Sequence, residues 1–418
     1  MYGDSVSDSI FKQYVERRNT IVKKKNILQT SYLPDQLPHR TEQIDQVASI
    51  IAAALKGDKP SNIMISGKTG TGKTAVIKFI GEELKKADTI SAECEFVYIN
   101  CETTDTQYGI LHTIGNQGLD MTQRIPFTGW STEKVYTEMR NYVDSQKKVF
   151  IVVLDEIDRL LNKSNEDILY HLLVINENLK NSKVSLIGIS NNTNFMNFLD
   201  QRVKSRLGEE KIIFPPYNAG QLEDILRERA KLAFEKDTIE EGVVPYCAAL
   251  AARDTGDARR ALDLLRVASD VAERNGDTVV TEAHVKSAIN KIEMDIMVET
   301  VKTLHPQSKV VLMSIIKSIN SNDKSNVVTT GNVYSMYKTI SEILGIGSVT
   351  QRRVTDLISE LDMLGIIHAH VRSFGRAGRT KEIELNCPKD TIFNILENDE
   401  IMVNLKKYKP PKQRTLDV

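Results

Sequence analysis

The sequence is short of the features that would settle its setting or its partners at a glance. Four cysteines, Cys94, Cys101, Cys247 and Cys387, stand far apart with no C-x-x-C spacing. That excludes a paired-cysteine metal motif and leaves ordinary thiols. No apolar run approaches the roughly 18 residues of a membrane span, so no membrane partner is expected. The opening stretch MYGDSVSDSIFKQYVERRN has no apolar segment of signal-peptide type, and a cytoplasmic location is expected. Charge of one sign is also missing. Formal net charge is −1, from 55 basic and 56 acidic residues, so any nucleic-acid surface must be local. There is no internal repeat. What remains is ordinary globular composition, 41% hydrophobic and 27% charged over 418 residues, too long for one core and natural for two or three domains.

Residues 1–30 read as a basic arm, at least partly mobile, with Arg17, Arg18 and the run Lys23-Lys24-Lys25. Over 31–216, strand-like runs alternate with helical ones. NIMIS (62–66), EFVYIN (95–100), VFIVVLD (149–155) and VSLIGIS (184–190) are short and rich in β-branched residues. That alternation implies an α/β fold, a parallel sheet covered on both faces. Residues 217–300 are helical throughout, with breaks at Thr255-Gly256, Asn275-Gly276 and Thr281. Residues 301–400 give three helices and then a two-stranded ribbon around Gly375–Gly378, an order that resembles a winged helix-turn-helix. Residues 401–418 read as a flexible tail.

The chemistry starts at Gly67-Lys68-Thr69-Gly70-Thr71-Gly72-Lys73-Thr74, a full Walker A pattern between a strand and a helix. Glycines let backbone N–H groups wrap phosphates, and the helix N-terminus adds partial positive charge. Lys73 should reach the outer phosphates of ATP or ADP, and Thr74 should ligate Mg²⁺. The strand VFIVVLDEID ends in Asp155, suited to holding Mg²⁺, and Glu156, suited to polarising water. Asp158 is expected to cap or pair locally. Asn191, at the end of VSLIGIS, could hold the water beside the γ-phosphate. Arg202 and Arg206 share one helix face at i and i+4. His368 and His370 alternate on a strand, with no further ligand near them to make a metal site.

In order and spacing these motifs resemble the AAA+ ATPases. The resemblance implies a helical lid carrying Arg259 as the arginine that reaches the γ-phosphate. It implies Arg206 as an arginine finger offered to a neighbouring subunit, with Arg202 as the other candidate. It places His39 and Arg40 where the family's loop surrounds adenine.

In the third unit, Val354, Leu357, Ile358, Leu361 and Leu364 form one helical stripe. Arg352, Thr355 and Ser359 fall opposite, with Gln351 and Arg353 flanking them, the layout of a recognition helix. Arg372, Arg376, Arg379 and Lys381 cluster on the glycine-rich wing and could grip a phosphate backbone. The whole chain resembles the archaeal replication initiators of the origin-recognition and cell-division-cycle-six type. The stretches that carry this are GKTGTGKT, VVLDEID, SLIGISNNTNF, LDQRVKSRLGEEKIIFPPYNAGQL, TGDARRALDLLR and RRVTDLISELDMLGII with its GRAGRT wing. The resemblance implies a slow ATPase that binds double-stranded origin DNA, works with paralogous initiator subunits and helps place the MCM helicase. Residues 104 to about 130 lie where the family inserts a DNA-touching helix, although only Arg124 is basic there. An ATP-sensing transcription regulator using the same winged helix is the alternative.

Overall fold

The computed structural model describes residues 21–88, 93–117, 125–161, 166–319, 327–373 and 379–407. The chain divides into two compact units, residues 1–288 and 289–418. The boundary falls within one continuous helix, Glu282–Thr303. Among the described residues no helix is long and apolar enough to cross a membrane.

The first unit is built on a five-stranded parallel sheet in the order β2-β3-β4-β1-β5. The strands are β1 Ile63–Ser66, β2 Cys94–Asn100, β3 Val149–Asp155, β4 Lys183–Ser190 and β5 Glu210–Ile213. Every residue of β3 is buried, as a run of Val, Ile, Phe and Leu requires between two strands with helices on both faces. One face packs under Ile110, Val135, Met139, Leu169 and Val203. The other packs under Val47, Ile51, Val76, Ile77 and Ile80. Register sets Asp155 beside Asn100 and Ile189, and Ser66 beside Ser190 and Ile213. The functional strand ends therefore finish along one edge, where ligands bind in open α/β sheets.

Strand β5 is absent from the four strand runs read in the sequence. Its four residues EKII bury only Ile212, and Ile213 is exposed. An edge strand this short shows neither alternation nor a continuous apolar run.

Four helices follow, Ala219–Ala233, Val243–Asp254, Ala258–Asn275 and Glu282–Thr303. Asn218 and Gln221 close the first with a capping box. Gly276 ends the third in the left-handed conformation, φ 84°. The basic arm is corrected over 21–30. Ile21, Val22, Ile27 and Leu28 are buried, and Lys25 pairs with Asp270 and Glu273 at 3.0 and 2.6 Å. Lys23 faces Glu235 at 3.6 Å. Two adjacent apolar pairs, Ile21-Val22 and Ile27-Leu28, anchor the segment on the helical bundle, and two of its three lysines meet acidic side chains there. Residues 1–20 lie outside the described residues.

The second unit has the three expected helices, Pro306–Ser318, Thr330–Leu344 and Gln351–Met363. The ribbon follows as β7 Ile367–Ser373 antiparallel to β8 Arg379–Leu385. A two-residue strand, β6 Val328–Thr329, adds to the other side of β8. The helix Lys389–Glu397 and a 3-10 helix Glu400–Lys407 complete it. The expected flexible tail therefore starts too early. Met402 is fully buried and Leu405 packs on the same core, which holds residues 401–407 in place. Residues 408–418 lie outside the described set, as do 118–124 of the expected DNA-touching insertion. Its first part is the helix Gln107–Gly115, capped by Thr106.

Candidate nucleotide site and nucleic-acid interface

A cavity of about 470 Å³ opens at the strand edge, within the size range of small-molecule sites. Its polar end is the loop from β1 to the helix Lys73–Ala87. Gly70 and Gly72 have φ of 72° and 88°, the left-handed region where glycine is unstrained. At Gly70 a Cβ would lie 1.6 Å from Asp257 Oδ1. Lys73 Nζ donates to the carbonyls of Gly67 and Lys68, each at 2.8 Å, and to Asn191 Oδ1 at 2.9 Å. Burial lowers its pKa to about 8; Asp155 opposes that shift and Arg259 adds to it. Gly70, Thr71, Gly72, Lys73 and Thr74 line the cavity. Gly67, Lys68 and Thr69 shape the loop behind it.

The acidic side is fixed as tightly. Thr74 Oγ1 and Tyr98 Oη both donate to Asp155 Oδ2 at 2.7 Å. The Glu156 amide donates to Asp155 Oδ1 at 2.9 Å. A hydroxyl and a carboxylate side by side are hard oxygen donors, and they fit Mg²⁺. Glu156 sits at φ 55°, an unusual conformation for a residue with a side chain and one that concentrates at functional sites. Its pKa is raised, first by burial and then by Glu102 and Asp155. Arg159 lies between Glu156 and Glu102, at 3.8 and 3.5 Å. Asp158 accepts from the Ser190 hydroxyl and the Asn191 amide at 3.0 and 3.4 Å. Its local pairing thus aims the strand end that carries Asn191.

Arg259 also lines the cavity, at the start of the helix Ala258–Asn275. Asp257 caps that helix and accepts from the Arg259 amide at 2.7 Å. His39 and Arg40 are near the cavity without lining it. Arg40 is 2% exposed and donates to Thr71 O at 2.9 Å and Pro215 O at 2.6 Å. Its guanidinium lies 3.8 Å from the Tyr217 ring centre. It is a clamp on the phosphate loop. His39 pairs with Asp224 at 2.9 Å. The cavity wall instead comes from the residues just before, Thr30 to Pro38. Arg206 pairs with Glu177 at 3.0 Å and Arg202 with Asp200 at 3.0 Å, both away from this cavity.

Tyr98 and Arg229 were missed in the sequence. Tyr98 could have been found by pairing β2 with β3. It lies opposite Val153, two residues before Asp155 and so on the same sheet face. Arg229 reaches Tyr32 across 197 residues, and no local pattern signals such a contact.

In the second unit, Val354, Leu357, Ile358 and Leu361 bury the back of the helix Gln351–Met363. Leu364, placed on the same stripe in the sequence, is 51% exposed because the helix ends at Met363 and Gly365 turns the chain. Gln351, Arg352 and Arg353 are exposed at its first turn, and Thr350 caps it. Arg353 pairs with Glu360 at 3.1 Å. Thr355 donates to the Gln351 carbonyl at 3.0 Å. Lys381 Nζ reaches Ser359 Oγ at 2.6 Å, joining wing to helix. Arg372 and His370 converge on Glu382, at 2.6 and 3.2 Å. Arg379 opens β8, and Arg376 lies outside the described residues. No group of three or more metal-ligating side chains occurs among the described residues.

A parallel sheet with a phosphate loop, an acidic strand end and a polar sensor, followed by a helical lid and a winged helix, defines an AAA+ ATPase-type protein with a C-terminal winged helix. Family models agree. Residues 56–194 match an AAA domain, 223–290 a Cdc6 AAA+ ATPase-type lid domain, and 299–395 a CDC6 C-terminal winged helix domain. The ORC1-type DNA replication protein of Thermococcus onnurineus is 48% identical over 415 residues, 99% of each chain. ORC1-type DNA replication protein 1 of Methanosarcina mazei is 48% identical over 403 residues, 96% of each. The structure of the Aeropyrum pernix ORC1 protein in complex with DNA superposes with a TM-score of 0.75 at 42% identity. It covers 92% of this chain and 99% of that one. The chain belongs to the ORC1-type DNA replication proteins.

Proposed function

We propose that this protein is an ATP-dependent replication initiator. It binds origin duplex DNA, helps recruit or load the MCM helicase, and uses ATP and ADP as alternative states. The observation that carries the reading is the coexistence of a preassembled phosphate site in the first unit with an exposed Gln351-Arg352-Arg353 turn in the second. The Aeropyrum relative, solved with DNA, supports DNA as the ligand. In this reading the nucleotide-binding region spans 31–216, the lid 217–300 and the winged helix 301–400, with the segment from residue 21 joined to the first unit and residues 401–407 to the second.

In the site, Lys73 and the loop amides bind the phosphates. Thr74 and Asp155 would hold Mg²⁺, which would neutralise phosphate charge when bound. Asn191 orients a water and Glu156 takes its proton as the water oxygen attacks the terminal phosphorus and ADP leaves. Arg259 stabilises charge on the transferring group. Burial, with the neighbouring Glu102 and Asp155, raises the Glu156 pKa and favours its accepting a proton. Arg206 lies off its own cavity, which supports its acting on a neighbour, a second copy or a paralogous subunit. Arg206→Ala should leave ATP affinity unchanged and slow hydrolysis only where chains assemble on DNA; loss of ATP binding by the isolated chain would place Arg206 in its own site. On DNA, Gln351, Arg352, Arg353 and Thr355 address base edges, while Arg372, Arg376, Arg379 and Lys381 grip phosphates.

Footprinting across the organism's origins, with ATP and with ADP, tests the whole reading. Protection of origin repeats that changes with the nucleotide is expected. Protection confined to promoters, with no origin binding, would make the protein an ATP-sensing transcription regulator.

A further inference from the structure

Two buried arginines of the first unit hold one segment between them. Arg40 ties its end to the phosphate loop through Thr71 O. Arg229, on the helix Ala219–Ala233, ties its start. Arg229 Nη1 donates to Ile27 O and Nη2 to Tyr32 O, both at 3.2 Å. The guanidinium also lies 4.6 Å from the Tyr32 ring centre. Arg229 is 9% exposed and forms no ion pair with a carboxylate among the described residues. Burying a guanidinium without a counter-ion is costly, and burial holds its pKa down. Its planar fork is matched here to two carbonyls and one aromatic face, a combination no lysine reproduces.

The held segment, Thr30 to Pro38, lines the cavity. Tyr32, Leu33 and Leu37 of the segment line it together with Ile225, Leu232 and Leu262 of the helical region and Arg229 itself. Leu232 is 52% exposed, an apolar side chain left open at the cavity rather than packed in a core. A slot with apolar walls, one aromatic ring and a cation takes a flat heteroaromatic ring. The phosphate loop lines the same cavity with other residues, Gly70 to Thr74.

We propose that Arg229 is the positioning residue for the base-binding end of this cavity. It fixes Tyr32 and the backbone beyond it against the ring of a purine nucleotide, and so controls how strongly the base adds to binding of the phosphates. This rests on the nucleotide reading above and predicts a separation that the reading alone does not.

Titration calorimetry on the full chain, with Mg²⁺ held constant, compares ADP with inorganic tripolyphosphate, which has no base. Arg229→Gln and Tyr32→Ala are each expected to weaken ADP at least tenfold and to leave tripolyphosphate within twofold. Tyr32→Phe should keep both, because the ring and the backbone carbonyl remain. Arg229→Lys should recover only part of the ADP affinity. Equal losses for both ligands, or unchanged ADP affinity in Arg229→Gln, would overturn the proposal. So would a wild-type chain that binds ADP and not tripolyphosphate, since the two ends would then not act separately. A wild-type chain that binds neither would remove the nucleotide site itself.

Discussion

The nucleotide cavity and the winged-helix face use charge in opposite ways. At the phosphate loop Lys73, Asp155 and Arg40 are buried, and each is held in one geometry. Lys73 has three oxygen acceptors, Asp155 accepts three hydrogen bonds, and Arg40 is locked between two carbonyls and a ring. On the winged helix, Gln351, Arg352 and Arg353 stand in solvent, Arg353 pairs with the exposed Glu360, and the exposed Arg372 pairs with Glu382. The first arrangement suits a small anion bound at fixed positions, because preset dipoles need no reorganisation. The second suits a long polyanion, which supplies field over many charges and tolerates side-chain freedom. Losses in the cavity should therefore approach all-or-none, and losses on the face should be graded.

The largest effect tests the cavity. Lys73→Ala should abolish measurable binding of ATP and ADP in equilibrium titration, since the buried ammonium held on the loop carbonyls is gone. Retained affinity within tenfold would erase the contrast from this side. Glu156→Gln comes next. It should keep ATP affinity and lower single-turnover hydrolysis by about 10²-fold or more, the usual scale for a lost general base. A wild-type rate would show that another group activates water.

Smaller effects belong to the winged helix. Arg352→Ala should cost about 1–3 kcal/mol on origin duplex and little on scrambled duplex, if its exposed fork reads a base edge. Arg379→Ala should weaken both DNAs alike and reduce the salt slope by about one charge. Isotherms at several salt concentrations separate the two. Equal loss on both DNAs in Arg352→Ala would reassign it to phosphate, and no loss in either variant would turn the face toward a protein partner. The smallest change is Glu360→Ala. It frees Arg353 from a surface pair worth about 0–1 kcal/mol, so thermal stability should barely move, while duplex affinity rises slightly. A large drop in melting temperature would show that this face is built as rigidly as the cavity.

The parts that were legible in the sequence are those in which one short segment carries both structure and chemistry. The Walker loop needs its glycines, its lysine and its threonine in consecutive positions. The strand ending at Asp155 announces itself by seven buried residues. The recognition helix shows an apolar back with period near 3.6 residues. What escaped notice is assembled from distance. The segment 21–30 looked like part of a basic arm because its partners, Asp270, Glu273 and Arg229, lie far along the chain. Tyr98 looked like one more strand aromatic, and its role appears only when β2 is set in register with β3. His39 and Arg40 were expected at the adenine loop, whereas Thr30–Pro38 line the cavity and Arg40 is buried against the carbonyls of Thr71 and Pro215. Strand β5 and the two-residue β6 are too short to carry any period at all.

The missing Cβ of Gly70 has a consequence for time. Asp257 fills the place where that atom would stand, and the Ala258 amide donates to the Gly70 carbonyl at 3.1 Å. Loop and lid therefore meet in direct contact at this point. Suppose a molecule leaves the cavity only when the turn at 256–258 withdraws. Residence would then be governed by how often that latch lifts rather than by how well the phosphates are held. Asp257→Gly, which opens the interlock and leaves Lys73 and Thr74 untouched, should speed release of a fluorescent ADP in stopped flow more than it slows its capture. Unchanged release would mean that the latch does not set the clock.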